Sequence, residues 1–130
     1  MFSIDRYSPT PIYEQLIAQF ERLILLGLLA PNAALPSVRA LSQELSINPN
    51  TIQKAYAELE RRGLCFTAPG TRRFITLNAA ELLRQEKDGL FEALRALGEK
   101  LAMYGVPFEA ASQVLDEGYR RQDTKGEETV

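Results

Sequence analysis

The chain has 130 residues, 45% hydrophobic and 25% charged, with a net charge of −2. That length fills one domain or at most two small modules, and the apolar fraction excludes a disordered or collagen-like chain. Histidine is absent and cysteine occurs once, which removes His-assisted nucleophiles, imidazole ligands and multi-cysteine zinc sites. An enzyme is not expected, nor is a metal or other cofactor.

No apolar run reaches the roughly 18 residues of a membrane span, and the densest, Leu23 to Ala30, is interrupted by Gly27. Met1 to Tyr7 lacks the basic start and apolar core of a signal peptide, and a lone Cys65 fits a reducing compartment. A cytoplasmic protein without a membrane partner is the expectation. Charge is uneven: residues 1–78 hold 8 Lys/Arg against 6 Asp/Glu, and residues 79–130 hold 7 against 11. The positive excess lies within Leu35 to Ile75, at 6 against 3. The local field, more than the net charge, decides what such a surface attracts.

Thr10-Pro11 opens the first helix, with Thr10 as the cap and Ile12, Leu16, Phe20, Leu23 and Ile24 on one face until Gly27. A connection over Leu28 to Leu35 contains Asn32, a residue that tolerates left-handed backbone. Pro36-Ser37 starts a short second helix, capped by Ser37 and buried through Val38, Leu41 and Leu45. Ser46-Ile47 turns the chain, and Asn48-Pro49 starts a third helix in the favoured cap-then-proline order. Ile52, Ala55, Tyr56 and Leu59 point inward, and Gly63 stops the helix. Two short helices across so tight a turn form a helix-turn-helix.

Strand-like runs at Leu64 to Thr67 and Arg73 to Leu77, joined through Pro69-Gly70, add a β-hairpin wing. Phe66 in the first run reads as core, and Cys65 as a packed thiol. Asn78-Ala79-Ala80-Glu81 has the form of a capping box. Beyond it Leu83, Leu90, Leu94, Leu97, Leu101 and Tyr104 recur at heptad spacing, and after Gly105 and Pro107 a last helix carries Phe108, Ala111, Leu115 and Tyr119. The expected fold is mainly α with a small β-hairpin: a winged helix-turn-helix over 1–78, a two-helix dimerisation segment over 79–121, and a disordered tail over 122–130. The leucine seam could fold back on the first module, but heptad seams favour a second helix, so a homodimer through these residues and Leu115 is expected.

The outward face of the third helix carries Asn50, Thr51, Gln53, Lys54 and Ala57. Asn and Gln can pair with base edges, small residues permit close approach, and recognition helices read through their first turn. Arg39, in the first turn of the second helix, suits a phosphate clamp; the alternative is a surface ion pair with Glu44. Arg72 and Arg73 at the wing tip suit phosphates or a minor groove, or merely protect a strand edge. Ser37, Gly70 and Thr71 complete the candidate DNA-contacting set. A winged helix that binds protein or RNA instead is the second possibility, since fold alone does not separate the two.

The runs Leu35-Pro36-Ser37-Val38-Arg39, Ile47-Asn48-Pro49-Asn50-Thr51, Ala55-Tyr56, Glu58-Leu59-Glu60 and Gly63-Leu64 resemble the GntR family of bacterial transcription regulators, its YtrA-like subfamily in particular. The resemblance implies a homodimer on a palindromic operator in double-stranded DNA, usually repressing, in a subfamily often encoded with ABC transporters. By position it implies DNA contacts at Arg39, Asn48, Asn50, Thr51 and Gln53, and a wing tip at Gly70. The effector domain and His-based metal site of larger relatives are not carried over, since about 50 residues follow the matched region and no His is present, and the resemblance leaves any small-molecule effector unidentified.

Overall fold

Three helix ends and one proline set the frame of the structure, a computed structural model that describes residues 2–70 and 72–129, with side chains described through Arg121. Helix α1 (Ile12–Leu25) starts from Pro11, whose carbonyl accepts from the N–H groups of Glu14 and Gln15. The cap position therefore falls on Pro11 and not on Thr10, and no side chain caps this end. The ring fixes φ at −54° and already aims the chain into the helix. At the other end Gly27 adopts φ 76°; its N–H reaches the Ile24 carbonyl while the Leu28 N–H reaches Leu23. This is a Schellman stop, which favours the residue without a Cβ.

Helices α2 (Val38–Leu45) and α3 (Pro49–Arg61) follow, and α3 ends in a second Schellman stop at Gly63 with Leu59 and Leu64 buried beside it. The α1 face buries Leu16, Phe20 and Ile24, and also Ile17, against Leu41 of α2 and Ile52, Ala55, Tyr56 and Leu59 of α3. Phe20 meets Tyr56 edge-on with ring centroids 5.5 Å apart, and Phe2 covers the other side of Phe20 at 4.6 Å. Burial of these apolar side chains, about 1.5–3 kcal/mol each for the larger ones, holds the three helices together.

Strands β1 (Cys65–Thr67) and β2 (Arg73–Ile75) pair antiparallel, with Cys65 opposite Ile75, Phe66 opposite Phe74 and Thr67 opposite Arg73. Both strands are shorter than the expected runs. The sheet alternation turns Cys65 and Ile75 inward, so Phe66 faces outward, contrary to its expected place in the core, and stacks on Phe74 at 5.8 Å. The connection before α2 does more than link: Ala34 bridges Phe74, and backbone bonds join Asn32 to Ile75, Ile75 to Ala33 and Leu35 to Arg73. It serves as a third, minimal strand, with Asn32 at φ 64° making the turn into it.

Helix α4 (Ala79–Met103) begins within the first compact unit, Met1–Arg84, where Ala79 and Leu83 are buried. That unit therefore reaches six residues beyond the expected boundary at residue 78. The second unit, Gln85–Val130, contains the rest of α4 and helix α5 (Phe108–Thr129). The polar stretch 122–130, expected as a tail, lies outside the residues whose side chains are described.

Candidate nucleic-acid interface

The turn between α2 and α3 is fixed from both sides. Ser37 caps α2 by accepting the Ala40 N–H at 3.0 Å, and Asn48 caps α3 by accepting the Asn50 N–H at 2.8 Å, with Pro49 next. Ser46 takes the left-handed conformation at φ 53°, Ile47 is buried, and Ser42 donates its hydroxyl to the Ile47 carbonyl at 2.6 Å. Arg6, from the N-terminal arm, donates to the carbonyls of Leu45 and Ser46 at 3.0 and 2.9 Å. A cation there also complements the negative end of α2. Sequence reasoning missed this brace, although the alternation Phe2, Ile4 hinted at an ordered arm.

With the turn rigid, Asn50, Gln53, Lys54 and Ala57 are exposed along one face of α3 and Thr51 is half-buried. Asn48 and Ser37 border that face, but each already spends an oxygen on its own helix N-terminus. Lys54 leans toward α1, its ammonium 3.8 Å from the Tyr13 ring centroid, a cation–π contact. Arg39 is exposed, and among the described residues it makes no ion pair with Glu44 or any other carboxylate. Its charge is available to a ligand.

In the wing Gly70 takes φ 92°, and the Ala68 N–H donates to the Arg72 carbonyl at 2.7 Å to close the hairpin. Thr71 lies outside the described residues. Arg72 is exposed, its guanidinium 5.5 Å from the Phe74 ring centroid. Arg73, expected to reach out from the wing tip, turns inward instead. Its guanidinium lies 5.3 Å from the Tyr56 ring centroid, and one amino group donates to Gln53 Oε1 at 3.2 Å. The cause is position: Arg73 sits within β2 opposite Thr67, where the strand directs its side chain toward α3. Tyr56, 1% exposed, donates its hydroxyl to the Pro36 carbonyl at 2.7 Å, and burial pushes its phenol well above the usual range. A cavity of about 340 Å³ opens among Ser37, Val38, Gln53, Tyr56, Arg72 and Arg73. Gln53 of α3, Ser37 and Val38 at the start of α2, and Arg72 and Arg73 of the wing thus line one concavity.

Away from that face, Leu83 is only 5% exposed and packs in the core of the first unit, so it does not belong to an open seam. Leu90, Leu94, Leu97, Leu101, Tyr104 and Leu115 are all exposed, Leu90 by 71% and Leu97 by 58%. Among the described residues, neither α4 nor α5 covers the other's apolar stripe. Among the described residues no helix is long and apolar enough to cross a membrane.

Residues 12–75 match the family described as bacterial regulatory proteins, gntR family. The HTH-type transcriptional repressor YtrA of Bacillus subtilis is 47% identical over 118 residues, 90% of this chain and 91% of the relative. The structure is similar to YtrA from Sulfolobus acidocaldarius, a GntR-family transcription factor, with a TM-score of 0.57 and 33% identity over 71% of this chain and 95% of that one. It is also similar to the DNA-binding domain of AraR in complex with operator ORE1, with a TM-score of 0.50 and 26% identity over 58% and 95%.

Proposed function

Because the chain belongs to the GntR family of bacterial regulatory proteins, in its YtrA-like branch, we propose that it represses transcription by binding a palindromic operator as a homodimer. The observation that carries this reading is the N-terminal half of α3, where Asn50 and Gln53 are exposed, together with an exposed Arg39 in the first turn of α2 that makes no ion pair among the described residues. The first turn of a recognition helix reads base edges, while a neighbouring arginine grips phosphate and fixes register. On this reading residues 1–84 bind DNA and the exposed leucines of 85–121 join two copies. Two half-sites related by a twofold axis then match two recognition helices. The repressor YtrA as a relative supports repression, and the resemblance to a subfamily encoded with ABC transporters supports control of a transporter operon.

Selection of bound sequences from a random duplex pool tests the operator, and sedimentation of the same protein tests the dimer. An inverted repeat and a dimer at micromolar concentration are expected. Leu97→Lys should give a folded monomer, because Leu97 contributes little to the core of its own chain. Enrichment of no sequence, or capture of RNA in preference to duplex, would overturn the reading.

A further inference from the structure

Gln53 is usually read as an adenine residue, because its carbonyl can accept from N6 while its amino group donates to N7. In this chain the carbonyl is engaged elsewhere. Arg73 donates to Gln53 Oε1 at 3.2 Å. Arginine carries donors only, so the chemistry fixes which end of the amide faces it: the oxygen toward Arg73, the amino group away. Arg73 is itself held from behind. Its guanidinium lies over the Tyr56 ring at 5.3 Å and its Nε is buried, while Tyr56 is anchored to Pro36 by its hydroxyl. A sequence of contacts from the α2 entry through α3 to the wing therefore sets the rotamer of one exposed side chain.

We propose that Arg73 is a positioning residue that makes Gln53 a hydrogen-bond donor, so that this position of the operator is read as guanine and not adenine. The inference rests on the operator-binding reading above. Two effects act in the same direction. The Gln53 amino group offers two N–H donors to the adjacent N7 and O6 acceptors of guanine. The Arg73 guanidinium adds positive charge where adenine would present its N6 amino group, which disfavours that base and favours O6. The second lone pair of Oε1 does not rescue adenine, because its approach lies beside that charge.

The test is sequence selection from a random duplex pool with the full-length parent, Gln53→Ala, Gln53→Glu and Arg73→Met, followed by affinities on duplexes differing at one base pair in each half-site. In the parent, the position that loses its preference in Gln53→Ala should be G·C, favoured over A·T by roughly 5- to 150-fold, the range of a good base contact. Arg73→Met should free the carbonyl and shift that position toward A·T, leaving preferences elsewhere unchanged. Gln53→Glu keeps the oxygen that Arg73 binds and removes the donors, so it should lose the guanine preference on a fold that the substitution does not disturb. A parent that selects A·T there, an Arg73→Met protein that binds with the parent's preference, or a Gln53→Glu protein that still prefers guanine overturns the proposal. A parent that enriches no sequence at all refutes operator binding itself, a pattern distinct from all three.

Discussion

Tyr56→Phe removes one buried hydroxyl and leaves the rest of the site standing. The ring stays packed against Phe20, and its face stays available to Arg73. What is lost is the 2.7 Å bond to the Pro36 carbonyl, the tie between α3 and the entry of α2. A neutral hydrogen bond contributes about 0.5–1.5 kcal/mol net, and an orphaned buried acceptor costs about 1–3 kcal/mol. Pro36 is half-buried, so water can reach its carbonyl in part and the lower end applies. The expected loss is about 1–1.5 kcal/mol. For a cooperative unit of this size that corresponds to roughly 4–12 °C in Tm. Urea unfolding of parent and variant at one protein concentration should show a lower midpoint with an unchanged m-value. A change below about 0.3 kcal/mol would show that the hydroxyl does not tie the helices together, and a changed m-value would show that the variant alters the compactness of the denatured or native state, or breaks two-state unfolding, and does more than remove one bond.

Burial pushes the Cys65 thiol up to about 11, with Glu60 adding to the shift. The unfolded thiol ionises near 8.5, so above that pH the unfolded state binds fewer protons and stability falls, by up to about 1.4 kcal/mol per pH unit until the folded thiol also ionises. Unfolding free energies between pH 8 and 11 should therefore decline less steeply in Cys65→Ala than in the parent. Gly63→Ala should destabilise by about 1 kcal/mol in thermal melts, because φ is 77° while a new Cβ would stand a comfortable 3.6 Å from Leu82 Cδ1; strain, not collision, is the cause. Arg39→Ala should weaken cognate and scrambled duplexes alike, and lower the slope of log affinity against log salt by about 2 in a dimer; a changed base preference would contradict its role as a phosphate contact.

The helix-turn-helix was legible in the sequence because local chemistry decides it. Ser37 and Asn48 cap, Pro49 starts, and Gly63 stops, and each acts within a few residues of itself. Periodicity likewise named the inner face of α3, since a helix has one spacing and Ile52, Ala55, Tyr56 and Leu59 obey it. Short strands are different. Which of Cys65 and Phe66 faces inward depends on the partner strand and on what lies beneath, so the sequence left Phe66 in the core and the pairing with Phe74 turned it out.

The same holds wherever the deciding partner is distant. Leu83 continues the heptad seam by spacing, yet it packs with the first unit because α4 begins on that core. Ala34 looked like loop until β2 offered it a bridge, and Arg6 has no local reason to cap a helix that ends 39 residues later. Arg73 shows the limit most clearly. Sequence places a basic residue at the wing, and only the tertiary structure turns it back onto Tyr56 and Gln53. Caps, stops and periodicity are properties of neighbours along the chain, whereas the direction of a long side chain is set by whatever ring, carbonyl or amide the fold brings within its reach.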